Sequence, residues 1–151
     1  MPLTFRRATP ADLPSIVAML ADDELGKLRE NLSQPLNPGY LEAFKAIDAD
    51  PHHRLLVAED AGRIVGTMQL TFLPGLPSRG AWRGLIEAVR IAGDRRGQGL
   101  GALMITHAIA ECRAKGCAMV QLTTNKQRLD AHRFYERLGF VATHEGYKLA
   151  L

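Results

Sequence analysis

The sequence predicts a single α/β domain over residues 1–151, in which helices flank both faces of a central, mostly antiparallel mixed sheet. A chain of 151 residues, 46% hydrophobic and 23% charged, has the size and composition of one globular domain. Strand patterns joined by a hairpin turn fill much of the first half. A strand, a glycine-rich loop, an amphipathic helix and a further strand then form a crossover, which makes the sheet mixed.

Strand and helix patterns follow one another through the N-terminal half. A strand pattern alternates along LTFRRA, and a helix start follows, with Thr9 as N-cap, Pro10 at the first helical position and Asp12 three residues after the cap. A second short helix is predicted for YLEAFKAIDAD and ends before Pro51. Two strands are predicted for HRLLVAED and RIVGTMQLTFL, joined across DAG as a hairpin.

The C-terminal half begins with the turn-rich segment PGLPSRG and the strand AWRGLIEAVRI. The next helix carries an apolar stripe and ends at Gly116; the stripe comprises Leu100, Leu103, Met104, Ala108, Ile109 and Cys112. The near-continuous apolar run AMVQLTT is typical of a strand buried on both faces. A short helix over DAHRFYERLG follows, and FVATHEGYKLAL is expected to form one or two strands.

Composition argues against several classes of partner. The net charge is only +3, with basic and acidic residues interleaved, so we expect no nucleic-acid partner. Cys112 and Cys117 lack the paired spacing of a zinc site, so we expect no metal and two free thiols. No apolar run is long enough to span a membrane, and the first residues lack the pattern of a signal peptide. We therefore expect a cytoplasmic protein that has no membrane partner.

The segment IAGDRRGQGLGA places glycines and arginines between a strand and a helix. GQGLGA fits the dinucleotide-binding pattern, but five residues separate its first glycine from the strand, and much of the sheet precedes it. An anion nest is the better interpretation, since successive N–H groups at a helix start and the helix dipole suit a pyrophosphate. Arg95 or Arg96 would add charge-assisted contacts.

Two motifs in order resemble the GNAT superfamily of acyl-CoA-dependent N-acetyltransferases. IEAVRI with RRGQGLG and the following helix is similar to the family's coenzyme A motif, and AHRFYERLGF is similar to its second motif, with the strand AMVQLTT between them. The resemblance implies an N-acetyltransferase with a splayed sheet and acetyl-CoA as co-substrate. The implied coenzyme-binding residues are Val89, Arg90, Ile91, Arg96, Gly97, Gln98, Gly99, Leu100, Gly101 and Ala102.

The resemblance also implies two catalytic residues. Glu87 would act as general base on the amine, directly or through water, although strand alternation also permits a merely solvated position. Tyr135 would protonate the departing thiolate, the alternative being an aromatic packed beside Phe134. Many family members carry an asparagine at the start of this last helix, where this chain has Arg128; Asn125, three residues earlier, is the substitute we consider for binding pantetheine.

The acceptor is expected to be a primary amine on a small molecule or a peptide, attacked directly in a ternary complex. Specificity would come from residues 22–40 and 74–84, whose signals conflict. Asp22, Asp23 and Glu24 suit a cationic amine, whereas Arg79, Trp82 and Arg83 suit an acidic group. Because family members often pair through their sheets, a homodimer is expected. The alternatives are a non-catalytic acyl-CoA sensor and, least favoured, a Rossmann-type NAD(P)-binding protein.

Overall fold

The computed structural model describes residues 3–151. The chain divides into two compact units, the first ending at Gln121 and the second comprising Leu122–Leu151. The first unit holds most of the sheet, the glycine-rich loop and the helix that follows it, and the second holds the last helix and the C-terminal segment.

Five strands form one mixed sheet in the order β1-β2-β3-β4-β5, which confirms the predicted fold class. The strands are β1 (Thr4–Arg7), β2 (His53–Asp60), β3 (Arg63–Leu73), β4 (Arg83–Ile91) and β5 (Met119–Leu122). The pairs β1–β2, β2–β3 and β3–β4 are antiparallel. β2 and β3 form the predicted hairpin, and the connection from β4 to β5 runs through a helix.

The longer helices are α1 (Leu13–Ala21), α2 (Pro38–Ala49), α4 (Leu100–Ala114) and α5 (Leu129–Arg137). A single turn, α3 (Pro77–Gly80), precedes β4 and contains two residues with left-handed dihedral angles, Ser78 and Arg79. The predicted helix start at Pro10 is a 3-10 turn over Pro10–Asp12 that leads directly into α1. In this turn the backbone N–H of Thr9 donates to the Asp12 carboxylate at 2.7 Å.

Helices cover both faces of the sheet. On one face Val57 of β2 packs in a buried cluster with Leu13 and Ile16 of α1 and Phe44 of α2. On the other face α4 lies so close that a Cβ on Gly84 of β4 would overlap the sulfur of Cys112. Buried residues along α4 recur at four-residue spacing: Leu100, Met104, Ala108 and Cys112. This agrees with the stripe predicted for the helix, except at Leu103.

Three local predictions were wrong. Leu103 is 53% exposed, because the buried stripe of α4 passes through Ile105 instead. β5 is four residues long, and its Met119 is 52% exposed, so this strand is not buried on both faces. Residues 140–151 contain no strand, and Val141, Tyr147 and Leu149 in them are exposed. An alternating pattern becomes a strand only where its backbone groups find a hydrogen-bonding neighbour, and that neighbour is not encoded locally.

Candidate active site

β4 contains a bulge in its second half. The register with β3 passes from Gln69 opposite Glu87 to Thr67 opposite Arg90, so β4 has one residue more than β3 over this stretch. Within it Ala88 has a φ of 53°, a conformation that L-residues rarely adopt. A bulge leaves a residue outside the regular ladder and increases the local twist. Ala88 and Val89 of β4 therefore both lie opposite a single residue of β3, Met68.

The bulge also determines which way two charged side chains point. Because Gln69 and Thr67 are two residues apart on β3, their partners Glu87 and Arg90 belong to one face of the sheet. It is the face that carries α1 and α2, since Val57 is paired with Thr67. Glu87 is exposed on this face, and the Arg90 side chain is only 14% exposed.

Arg90 connects β4 to the segment that follows α1. Its Nε lies 3.3 Å from Oδ2 of Asp23, and its Nη1 donates to the carbonyl of Val89 at 2.9 Å. Asp23 in turn accepts a hydrogen bond from the backbone N–H of Gly26, at the start of the 3-10 turn Gly26–Leu28. The Asp23 carboxylate therefore contacts both the backbone of its own loop and the Arg90 guanidinium beside the bulge.

The glycine-rich loop follows β4 directly. After a 3-10 turn (Gly93–Arg95), Gly97 and Gly99 have φ values of 75° and 80°, and Gly99 is the N-cap residue of α4. No atom lies within 4 Å of a Cβ built on either residue, so the dihedral angle, not space, favours glycine there. Residues 96–99 are exposed. The first N–H groups of α4 have no partner within the helix, so the loop and helix start present donors to an anion.

The two arginines of the loop have different environments. Arg95 is half-buried, and its guanidinium bonds Asp60 at 2.7 Å and Gln98 at 3.0 Å. Arg96 is exposed and donates to the backbone carbonyl of Asp22 at 2.9 Å, with the Asp22 carboxylate 3.4 Å away. Arg95 is thus a structural link between the loop and the β2–β3 hairpin. Arg96 has its cationic group at the surface, where a phosphate oxygen could replace its contact with Asp22.

In the second unit, Tyr135 lies in the last part of α5 and is half-buried. Its ring makes edge-on contacts with Phe134 at 5.1 Å and Phe140 at 5.8 Å between centroids. Tyr135 therefore packs beside Phe134, as the aromatic alternative expects, and these contacts do not test its role as an acid. Edge-on contacts on two sides restrict the orientation of the ring.

Asn125 forms a turn before α5. Its side-chain oxygen accepts from the backbone N–H of Gln127 at 2.9 Å, and its carbonyl accepts from the N–H of Arg128 at 2.9 Å. The carbonyl is also 3.0 Å from Nε2 of His132. The residue is exposed, but its side-chain oxygen serves the turn.

Metal-ligating clusters and reactive thiols do not add to this arrangement. Within residues 3–151 no group of three or more His, Cys, Asp or Glu side chains is placed to hold a metal ion. Cys112 and Cys117 are free, and burial raises the pKa of Cys112 to about 11, which keeps that thiol protonated. The helices of this same part of the chain include none with the length and apolarity needed to cross a membrane.

Comparison with known proteins identifies the fold. Residues 19–140 match the acetyltransferase (GNAT) family, a range that includes the β4 bulge, the glycine-rich loop and Tyr135. The chain belongs to this family. It is an acetyltransferase, as its named relatives are. A Rossmann-type protein is excluded, because four of the five strands are antiparallel neighbours and the glycine loop follows the fourth strand.

Three relatives illustrate the match. The aminoalkylphosphonate N-acetyltransferase of Salmonella typhimurium is 31% identical over 97% of this chain and 90% of its own length. The glucosamine 6-phosphate N-acetyltransferase of Trypanosoma brucei is 37% identical over 62% of this chain and 61% of its own. A crystal structure from Bacillus halodurans, described as a transcriptional regulator, is 48% identical, with a TM-score of 0.96 over 99% of this chain and all of its own.

The sequence alone indicates the glycine-rich loop but not the two aspartates that form ion pairs with Arg90 and Arg96. The sequence suggests Asp22 and Asp23 as groups that attract a cationic amine, whereas in the structure they lie against Arg96 and Arg90. Nothing in the local sequence indicates these pairs, which join residues 67 or more positions apart. The sequence offers only the presence of two adjacent aspartates after α1 and of arginines before and within the glycine-rich loop, which does not specify how they pair.

Proposed function

We propose that this acetyltransferase transfers acetyl from acetyl-CoA to a primary amine of a small molecule or peptide, by direct attack in a ternary complex. The observation that carries the proposal is the bulge at Ala88 followed directly by the exposed glycine loop at the start of α4. In this order the bulged strand would offer backbone groups to an extended arm, and the glycine loop would offer N–H donors to a pyrophosphate, within one continuous segment. Coenzyme A contains both.

Coenzyme binding would be divided between these two parts. The residues of the cradle are Arg96, Gly97, Gln98, Gly99, Leu100, Gly101 and Ala102, whose backbone N–H groups and one guanidinium would bind the pyrophosphate. Val89, Arg90 and Ile91 would bind pantetheine through their backbone groups, and Asn125 would add an amide contact. A positive φ at Gly97 and Gly99 supports this assignment, since any side chain there would distort the cradle.

Glu87 would act as the general base. Primary amines have pKa values near 10 and are mostly protonated at neutral pH, so the attacking nitrogen has to lose a proton. Glu87 is exposed on the α1–α2 face of β4, one residue before the bulge, where an amine or an intervening water can reach its carboxylate. A backbone N–H of the bulged stretch would donate to the acyl oxygen, where negative charge develops.

Tyr135 would act as the general acid. Acetyl-CoA supplies an activated acyl group in the form of a thioester. As the new carbon–nitrogen bond forms and the carbon–sulfur bond breaks, the thiolate takes the phenolic proton, and Glu87 holds the proton released by the amine. A phenol with a pKa near 10 protonates a thiolate efficiently only while the bond is breaking, which requires a fixed hydroxyl. The rings of Phe134 and Phe140 support that position.

The acceptor is proposed to be a small amine that also carries an anionic group. The names of the Salmonella and Trypanosoma relatives specify an aminoalkylphosphonate and glucosamine 6-phosphate, each of which combines an amine with a phosphorus oxyanion. Because Asp22 and Asp23 pair with arginines, their carboxylates give less support to selection of the acceptor by its cationic amine alone. A homodimer in the cytoplasm completes the proposal, as family members often pair through their sheets.

A regulatory function is the second candidate, because a structure 48% identical to this chain is described as a transcriptional regulator. In that case occupancy of the site by acyl-CoA would act as a regulatory signal, and acetylation of an amine would be slow or absent. The glycine cradle serves both functions equally well. Only amine-dependent turnover distinguishes them.

The test begins with thermal unfolding in the presence of acetyl-CoA, coenzyme A or NADPH. A ligand at about 100 times its Kd adds roughly 2.7 kcal/mol of stability, a clear rise in Tm. We expect stabilisation by acetyl-CoA and coenzyme A only. Release of coenzyme A thiol is then measured against a panel of amines, with N-acetyl product detected by mass spectrometry. Stabilisation without turnover of any amine favours the regulatory function, and stabilisation by NADPH alone overturns both.

A further inference from the structure

We infer that Arg90 is a specificity-determining residue, whose guanidinium binds an oxyanion on the acceptor while the amine of the same molecule reaches Glu87. The inference rests on the proposed function and extends it by assigning the acidic group to one side chain. It follows from the position of Arg90 on β4, from its burial and from the way Asp23 holds it.

The position of Arg90 relative to Glu87 suits one small molecule. Their partners on β3, Thr67 and Gln69, are two residues apart, which corresponds to about 7 Å along the strand. Both side chains belong to the face that carries α1 and α2. Between them lies the bulged stretch around Val89, where the acyl group is proposed to bind. A primary amine and an oxyanion joined by two or three atoms can therefore contact both charged groups at once.

Other arginines are placed less well. Arg83 belongs to the same face, but it is four residues from Glu87, about 13 Å along the strand, and donates to Gln121 at 3.1 Å. Arg95 and Arg96 follow the strand and belong to the glycine loop. Of the arginines that the structure describes on β4 and its loop, Arg90 is therefore the one within reach of an acceptor at Glu87.

Burial of Arg90 points to a function beyond packing. Its neighbours in the strand are Val89 and Ile91, and β-branched side chains suit such a half-buried strand position without the cost of removing a charge from water. The guanidinium is instead retained with 14% of the side chain exposed. A structural ion pair of this kind is often no more stabilising than apolar packing, so stability alone does not account for it.

Asp23 prepares Arg90 for a ligand. Asp23 Oδ2 lies 3.3 Å from Nε, and the Val89 carbonyl accepts from Nη1, so the side chain is held in one orientation before an acceptor arrives. Less rotamer entropy is then lost on binding. The planar guanidinium has five N–H donors and binds carboxylates and phosphorus oxyanions in a bidentate manner, in addition to the partners that orient it.

The experiment compares acceptors that differ only in the anion. The full chain, saturated with acetyl-CoA, is assayed with 2-aminoethylphosphonate, with β-alanine and with propylamine, which has the same amine and no acid. We expect the native protein to prefer at least one of the two acidic amines to propylamine by about tenfold or more in kcat/KM. The preferred acid shows whether a phosphonate or a carboxylate fits better.

The variant Arg90→Gln should lower the ratio of kcat/KM for the preferred acidic amine to kcat/KM for propylamine by about tenfold or more, mainly through the KM of the acidic amine. Arg90→Lys should recover part of the preference, because it keeps the charge but not the bidentate geometry. Arg113→Gln removes the same charge from an exposed position at the end of α4 and should change none of these values.

Two results overturn the inference while acetyl transfer stands. One is a native protein that shows no preference for either acid; the other is an Arg90→Gln variant that loses propylamine turnover to the same degree as turnover of the acidic amine. The second result would assign Arg90 to the support of the bulge. Absence of turnover with these three amines and with every other amine of the panel instead overturns the proposed amine acetylation, and the inference falls with it.

Discussion

Glu87 and Arg90 lie on the same face of the sheet although they are three residues apart on β4. In a regular strand residues three apart point to opposite faces. The extra residue in the bulge, with Ala88 at a φ of 53°, restores the alignment. One local irregularity thus brings a carboxylate and a guanidinium to the same face of the sheet.

Replacing Glu87 tests the proposed base. Glu87→Gln should lower kcat/KM and flatten the low-pH limb of its pH profile, because the amide has no acidic proton to release as the pH rises and cannot accept a proton from the amine. Ionisation of the amine itself remains visible at higher pH. The measurement is kcat/KM for a good acceptor from pH 5 to pH 10. Glu42→Gln, an exposed glutamate on α2, is the matched control and should keep the native profile. A low-pH limb that persists in Glu87→Gln would assign the proton transfer to another group.

Replacing Tyr135 tests the proposed acid. Tyr135→Phe keeps the ring that packs with Phe134 and Phe140 and removes only the hydroxyl. We expect kcat to fall by about 100-fold, the size typical of general acid catalysis, with the KM for acetyl-CoA nearly constant. Tyr147→Phe removes a hydroxyl from an exposed tyrosine in the same unit and should be neutral. A Tyr135→Phe variant with native kcat would remove the residue from the mechanism.

The part of the site that is local in sequence was predictable, and the part that depends on pairing was not. Gly97 and Gly99 indicate the loop in the sequence, because glycine is the residue type that readily adopts their positive φ angles. Strand alternation, in contrast, places Glu87 and Arg90 on opposite faces, and only the register with β3 reveals the bulge. The contacts of Asp23 with Arg90 and of Asp22 with Arg96 likewise depend on the tertiary fold, which brings the segment after α1 next to the end of β4 and the glycine-rich loop.

The prediction of strands near the C-terminus was wrong because strand formation, too, depends on residues distant in the sequence. FVATHEGYKLAL has alternating apolar residues, but alternation specifies only that a segment can be extended. Its backbone hydrogen bonds depend on an edge elsewhere in the fold. Helix α5 was predicted well by comparison, because its backbone hydrogen bonds are made within the helix itself. Its end is also visible in the local sequence, since Gly139 adopts a φ of 96° just after the helix.

A matched pair of glycine substitutions tests the cradle. Gly99→Ala and Gly116→Ala each put a methyl group on a residue with a φ of 80° and no atom within 4 Å, so each should lower stability by roughly 1 kcal/mol. Only Gly99 lies at the start of α4, whereas Gly116 follows its end. We therefore expect the Kd for acetyl-CoA, measured by calorimetry, to rise about fivefold or more in Gly99→Ala alone. Equal effects on Kd would mean that strain, and not the cradle, controls binding.

The ion pairs at the start of α1 predict a dependence of stability on pH. Arg6 bonds Asp12 at 2.7 Å and Glu59 at 3.2 Å, and its guanidinium lowers the pKa of the buried Asp12 to about 2 from an ordinary 3.8. Because the folded state holds the carboxylate charged, its stabilisation is complete above the unfolded pKa and is lost as the pH falls from about 4 towards 2. Asp12→Asn should therefore cost about 2 kcal/mol at pH 7 and progressively less below pH 4.

Urea unfolding at several pH values measures this difference. Asp130→Asn provides the control, since Asp130 pairs with Arg133 at a similar 2.8 Å but its side chain is 99% exposed. An exposed pair of this kind contributes at most about 1 kcal/mol, and we expect less than half of that here. The two variants should thus differ at pH 7 and converge near pH 2. A constant cost of Asp12→Asn across the whole range would mean that Asp12 stabilises the chain through its neutral hydrogen bonds with Thr9 rather than through its charge.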